Sequence, residues 1–157
     1  MQPTKTVVLV STRIAFGLLF LSSGIDKLLS DFSATSYLES SSGPFTEYFT
    51  ALAGNNLVDF LVIFGEIGIG AALLLGLFLS FTAVCGILMM TLFYLSSFPP
   101  RTGYINLNIM YSFIFLILAT FEGARQFSLQ PFANAFLARI FAKSNPRTAE
   151  PTEPESS

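Results

Sequence analysis

The sequence predicts an all-α integral membrane protein: a four-transmembrane-helix bundle followed by a C-terminal interfacial amphipathic helix. Three observations carry this reading. Charged residues make up 11% of the 157 residues, against about 25% in an ordinary globular chain. Apolar residues reach 52%, including 18 Phe. Four apolar stretches approach the about 20 residues that a helix needs to cross a bilayer. A chain of this kind lacks the polar surface to clothe a water-soluble globule.

The first stretch runs from Val7 to Leu29. Arg13 interrupts its apolar run and no Ala-x-Ala site follows, so it reads as a retained helix and not as a cleaved leader. Arg13, Gly17, Phe20, Gly24 and Lys27 recur at steps of four and three, a single helix face on which two glycines allow close approach. The next segment, Ser30–Asn56, is polar but carries Phe32, Tyr37, Phe45, Tyr48 and Phe49. Those aromatics predict a loop folded back on the bundle, with a short helix over Phe45–Leu52.

The second span runs from Leu57 to about Leu77, with Gly65, Gly68, Ala72 and Gly76 as its small-residue face. A tight turn near Phe78–Phe81 leads to the third span, about Ser80 to Phe98. Phe98-Pro99-Pro100-Arg101-Thr102-Gly103 is a turn signal, and the fourth span follows from about Ile105 to Phe121. Beyond it, Leu129, Phe132, Ala133, Phe136, Leu137, Ile140 and Phe141 recur at helical spacing, with Asn134, Arg139 and Lys143 elsewhere on the wheel. That pattern describes a basic amphipathic helix lying in the membrane interface. The expected organisation is a transmembrane domain over 1–127, an interfacial helix over 128–143 and a disordered tail over 144–157.

Composition excludes several function classes. The chain has no His and one Cys, which removes His-ligated haem, His-based metal clusters, a Ser-His-Asp triad and any CxxC pair. Cys85 lies in an apolar run and reads as a packed, inert thiol. A net charge of −2 without a basic run gives no footprint for nucleic acid. An even number of spans puts both termini on one side. Lys5, Arg125, Arg139, Lys143 and Arg147 fall on that side, so both termini are expected in the cytoplasm and the chain in the cell membrane.

The informative residues are the charges the membrane tolerates. A charge within a span costs about 3 kcal/mol on insertion scales and usually faces a bundle interior. Glu66 stands near the middle of the second span. Arg13 lies about 10 Å away in depth by helix rise; its long side chain can close much of that gap, so a pair is allowed but not implied. Asp26, Lys27, Asp59, Asn106 and Asn108 join Glu66 in the opposite, outer half of the bundle. For the Asn and Asp residues, helix capping is the plainer role. One buried carboxyl, amide groups and many aromatics suit a planar apolar ligand with polar ends, such as a quinone, and a buried carboxyl can deliver a proton.

The stretches Arg13-Ile-Ala-Phe-Gly17 through Gly24-Ile-Asp-Lys27-Leu28, Gly65-Glu66-Ile67-Gly68 through Gly76-Leu77-Phe78, Asn106-Leu-Asn108, and Arg125 with Phe127-Ser128-Leu129 resemble the DoxX/DoxD-like membrane protein family. The resemblance covers about Arg13–Leu129. It implies a four-helix bundle that serves as a subunit of a quinone-linked oxidoreductase, passing electrons from a sulfur or thiol donor to a membrane quinone. Thiosulfate:quinone oxidoreductase and terminal quinol oxidase subunits are the forms it implies. The chain departs from the family in two places: Leu79-Ser80 stands where a basic residue is common, and Gln130 where the closing pattern has Asp.

On this reading Glu66 and Arg13 are the catalytic candidates, as proton donor and charge partner. Asn108, Asn106, Lys27 and Asp26 are the quinone-binding candidates. The expected partners are the lipid bilayer, the quinone, and a redox partner subunit or further copies of the chain, with no metal and no haem. Two alternatives stand beside it: a non-catalytic anchoring or assembly subunit, and a small oligomeric transporter.

Overall fold

The computed structural model describes residues 3–99 and 103–144 and, for residues 141–144, the backbone alone. The described residues are helical throughout, without strands. In chain order they form α1 (Pro3–Leu29), α2 (Thr35–Glu39), α3 (Thr46–Thr50), α4 (Asn56–Leu75), α5 (Leu79–Ser96), α6 (Leu107–Thr120), a 3-10 turn (Glu122–Arg125) and α7 (Gln130–Ser144). Three of these, α1, α4 and α5, are long and apolar enough to cross a membrane. The fourth apolar helix, α6, has 14 residues, or about 21 Å at 1.5 Å per residue, short of a 30 Å hydrocarbon core. The chain is therefore a multi-pass membrane protein.

Local chemistry sets the helix ends. Asn55 caps α4 by accepting the Leu57 N–H at 2.9 Å. Asn106 does the same for α6, its Oδ1 accepting from Asn108 and Ile109. Gly76 ends α4 at φ 69°, where its own N–H and that of Leu77 donate to the Leu73 and Ala72 carbonyls. The two-residue step Leu77–Phe78 then starts α5.

The helices pack in two pairs, α1 against α4 and α5 against α6. Glycine sets the first. A Cβ added to Gly17 would meet Leu74, one on Gly24 would meet Ile67, and one on Gly70 would strike the Leu21 backbone. These contacts define a single antiparallel register. The pairs join around Phe16, Phe20, Tyr111 and Phe115, whose rings meet edge to face at centroid distances of 5.0–5.6 Å for Phe16–Tyr111, Phe16–Phe115 and Phe20–Phe115. Phe115 has no exposed surface and presses on Gly86, where any side chain would collide with its ring. Outward-facing Leu18, Phe60, Phe64, Val84, Leu88, Phe113 and Leu116 stay exposed, as lipid-facing side chains do.

The expected loop helix over Phe45–Leu52 is present as the shorter α3, with α2 added before it. The loop does fold back. The Tyr37 hydroxyl donates to the Phe93 carbonyl at 2.9 Å and accepts from Ser96 at 2.8 Å, while Asp59 accepts the Ala34 N–H at 2.7 Å. The tail expected over 144–157 falls outside the described residues except for Ser144, which closes α7.

Candidate functional site

The α1–α4 register decides which charges meet. With Gly24 against Ile67 and Leu21 against Gly70, Glu66 comes level with Ile25, so Lys27 and Ser23 lie within one turn of it. The Lys27 ammonium reaches the Glu66 carboxylate at 2.6 Å and the Ser23 hydroxyl at 2.7 Å. Glu66 is 5% exposed, while the Lys27 side chain keeps 23% of its surface open. The Phe32 ring lies under the ammonium, 5.5 Å from centroid to Nζ. This is the one ion pair among the described residues.

The same register answers a question the sequence leaves open, whether Arg13 reaches Glu66: it does not. Arg13 comes level with Phe78, beyond the end of α4, about 18 Å along the helix from the level of Glu66. Its partners are backbone carbonyls of the segment after α6. Nη1 donates to Ala124 at 2.7 Å and Gln126 at 3.1 Å, and Nη2 donates to Phe127 at 3.1 Å. Arg13 is 1% exposed, and its Nε has no partner among the described residues. The guanidinium thus clasps the strap Ala124–Phe127 to the base of the bundle. Phe127 sits at φ 52°, a left-handed conformation that a bulky residue adopts only when its neighbours impose it. Gly76 gives the room: a Cβ there would come within 2.7 Å of Arg13 Nη1 and 2.5 Å of the Ser128 Cβ. The Leu129 N–H donates to the Leu75 carbonyl at 2.9 Å, closing the strap onto α4.

The other candidates separate. Asn106 uses its side chain as the α6 cap. Asn108 lines a small cleft of about 60 Å³ between α5 and α6, bordered by Met90, Tyr94 and Ser112. That volume holds a few waters and not a quinone ring. Asp26 is exposed at the end of α1. Of the six residues the sequence singles out, the structure joins only Lys27 and Glu66 side chain to side chain.

Ser23, Phe32 and the strap carbonyls complete the two charge sites, and none is evident from residue type. Ser23 stands four residues before Lys27, the one local signal for it. Chemically, the Lys27–Glu66 site can hold a proton between two groups and present an N–H to a polar ligand. The Arg13 site presents its charge only to its own backbone.

The family model described as DoxX matches residues 8–97, more than half of the chain, and the protein belongs to the DoxX family. No curated protein and no solved structure matches it.

Proposed function

We propose that this protein is the membrane subunit of a quinone-linked oxidoreductase, with the Lys27–Glu66 pair as its quinone-contacting and proton-handling centre. The observation that carries the reading is the donor arithmetic at Lys27. An ammonium has three N–H donors. Glu66 takes one and Ser23 a second, which leaves the third for a ligand carbonyl beside the Phe32 ring. Partial exposure of Lys27 near the end of α1 leaves it open to a head group arriving from the lipid.

A quinone needs two electrons and two protons to become a quinol. Two thiols of a sulfur-type donor supply both on forming one disulfide. With Cys85 as its lone thiol, the chain relies on a donor from outside it. Lys27 orients a carbonyl oxygen and passes it a proton, and Glu66 stabilises the ammonium while protons are exchanged. The family membership supports this reading, as does a carboxylate retained at depth in a span. In it, α6 completes a four-span bundle, α7 lies in the interface, and both termini face the cytoplasm of a cell-membrane protein. Protease cleavage of the tail in sealed right-side-out vesicles would overturn that orientation.

Binding of a quinone analogue to the purified chain in detergent tests the assignment. Saturable binding weakened about tenfold by Lys27→Met, and weakened again by Glu66→Gln, is the expected result. Equal affinity in wild type and both variants sinks it. A non-catalytic anchoring role has its own support in α7, where Phe132, Phe136 and Ile140 are exposed above a strap fixed by Arg13. That role predicts that Glu66→Gln lowers folded yield while quinone binding never appears.

A further inference from the structure

A second polar site lies at the Arg13 end, outside the clasp. Between the α4–α5 turn and the start of α7 is a groove of about 410 Å³. Arg125, Gln130, Asn134 and Ser80 form its polar wall, and Phe78 and Phe81 its apolar one. The Arg125 guanidinium is steered over the groove by one hydrogen bond, to the Ser80 hydroxyl at 3.0 Å. Glu122 stands three residues before it but makes no ion pair with it, so among the described residues Arg125 has no carboxylate partner. Gln130 is held at both ends. Its Oε1 accepts the Phe78 N–H at 2.6 Å and its Nε2 donates to Asn134 Oδ1 at 2.8 Å. That chain leaves the Asn134 amide N–H groups on the groove wall without a partner among the described residues.

We propose that this groove binds the phosphate of an anionic phospholipid headgroup. Three features converge on that ligand class. First, the groove's level is fixed: it joins the C-terminal end of one span-length helix to the start of the next, the depth at which headgroups lie. Second, its donors suit a phosphate. Among the described residues Arg125 spends one of its five N–H groups, which leaves enough for a two-pronged contact with a phosphate, and Asn134 adds neutral donors. Third, the lining is two-sided. Phe81, 70% exposed, and Phe78 lead from the polar wall out to the lipid-facing surface, which fits a headgroup with attached acyl chains and not a free ion. Basic pockets beside membrane helices recognise anionic headgroups by this combination. The proposal is independent of the quinone reading, since it shares no residue with the Lys27–Glu66 site.

Native mass spectrometry of the whole chain in neutral detergent tests it. The probes are phosphatidylglycerol, phosphatidylcholine and inorganic phosphate. The expected result is retention of phosphatidylglycerol at least fivefold above phosphatidylcholine, a loss of about tenfold in Arg125→Gln, and substantial recovery in Arg125→Lys. Arg125 is exposed and makes one side-chain contact, so its variants should fold; an unchanged melting temperature without added lipid checks that. Phe81→Ser should lower lipid retention with Arg125 in place. Equal retention of the two lipids, retention unaffected by Arg125→Gln, or displacement of phosphatidylglycerol by millimolar inorganic phosphate would each overturn the proposal, the last in favour of a free-anion site.

Discussion

Arg13 and Lys27 are both cations on one face of α1, about four turns apart with the Gly17 and Gly24 contacts between them, yet they are compensated in opposite ways. Lys27 meets a carboxylate and a hydroxyl. Arg13 meets three carbonyl oxygens and no carboxylate among the described residues. The cause is the α1–α4 register, which sets Glu66 beside Lys27 and runs α4 out before it reaches Arg13. The consequence is a division of labour. A carboxylate partner can take or release a proton, and an ammonium with a donor to spare can serve a ligand. A guanidinium on carbonyls exchanges nothing; it stays charged and fixes the shape of a backbone segment that has no helix of its own.

If that contrast is right, the largest effect belongs to Arg13. Arg13→Met leaves three buried or half-buried carbonyls without their donors and frees a strap that includes a left-handed Phe127. Charge-assisted hydrogen bonds are worth about 1.5–3 kcal/mol each, and the losses overlap, so a destabilisation of about 4 kcal/mol is expected. Thermal unfolding in detergent measures it, and proteolysis should move to the segment 122–129. Arg13→Lys should recover only part, because a point charge cannot reach across three carbonyls. Full recovery by Lys would reduce the clasp to a simple charge effect.

The second effect is the coupling between Lys27 and Glu66. Lys27→Met strands a buried carboxylate and Glu66→Gln removes its charge, each costing about 2–3 kcal/mol. The double variant should cost less than their sum, with a coupling of about 1–2 kcal/mol. The same cycle between Arg13 and Glu66 should give a coupling near zero. A strong Arg13–Glu66 term would mean that the two ends of α1 are not separate sites, and the contrast would collapse.

How much of this was legible in the sequence follows from what kind of information each feature needs. Hydropathy locates the apolar helices to within a few residues: Val7–Leu29 against Pro3–Leu29, and Leu57–Leu77 against Asn56–Leu75. Burial in lipid is a property of composition, so it survives without knowledge of packing. The glycine stripe on α1 correctly marks the face that α4 meets. Pairing of charges is different, because it depends on the stagger between two helices. Reading depth from each span's own midpoint made Arg13 and Glu66 about 10 Å apart, where the register makes it about 18 Å. The strap carbonyls carry no residue-type signal at all, and Asn106 follows its plainer role as a cap.

The glycine contacts that set the register give a third test. Gly70→Ala would drive a methyl into the Leu21 backbone, which cannot move aside as a side chain can. A loss of about 2 kcal/mol is expected, with the Lys27–Glu66 coupling weakened as α1 and α4 separate. Gly68→Ala is the control on the same helix. Its methyl would meet nothing within 4 Å, so only helix propensity remains and stability should hold or rise by up to about 1 kcal/mol. If both variants behave alike, close helix approach does not set the register, and the position of Glu66 beside Lys27 needs another cause.

The smallest expected effect lies in the loop that covers the Lys27 end. Tyr37→Phe removes one hydroxyl with three neighbours: the Phe93 carbonyl at 2.9 Å, Ser96 at 2.8 Å and Ser97 at 3.1 Å. The ring and its edge-to-face contact with Phe93 remain, so the hydrophobic part of the docking is untouched. Ser96 is buried, but its single hydroxyl hydrogen can turn from Tyr37 to the Phe93 carbonyl at 2.9 Å, which softens the loss. A cost of about 1 kcal/mol is expected. Because the loop sets Phe32 against Lys27 and lies at the end of α1 away from Arg13, hydrogen exchange should speed up across residues 32–40 and leave the strap at 124–129 unchanged. Faster exchange in both regions would show that the two ends of the bundle unfold as one unit, whatever their charges do.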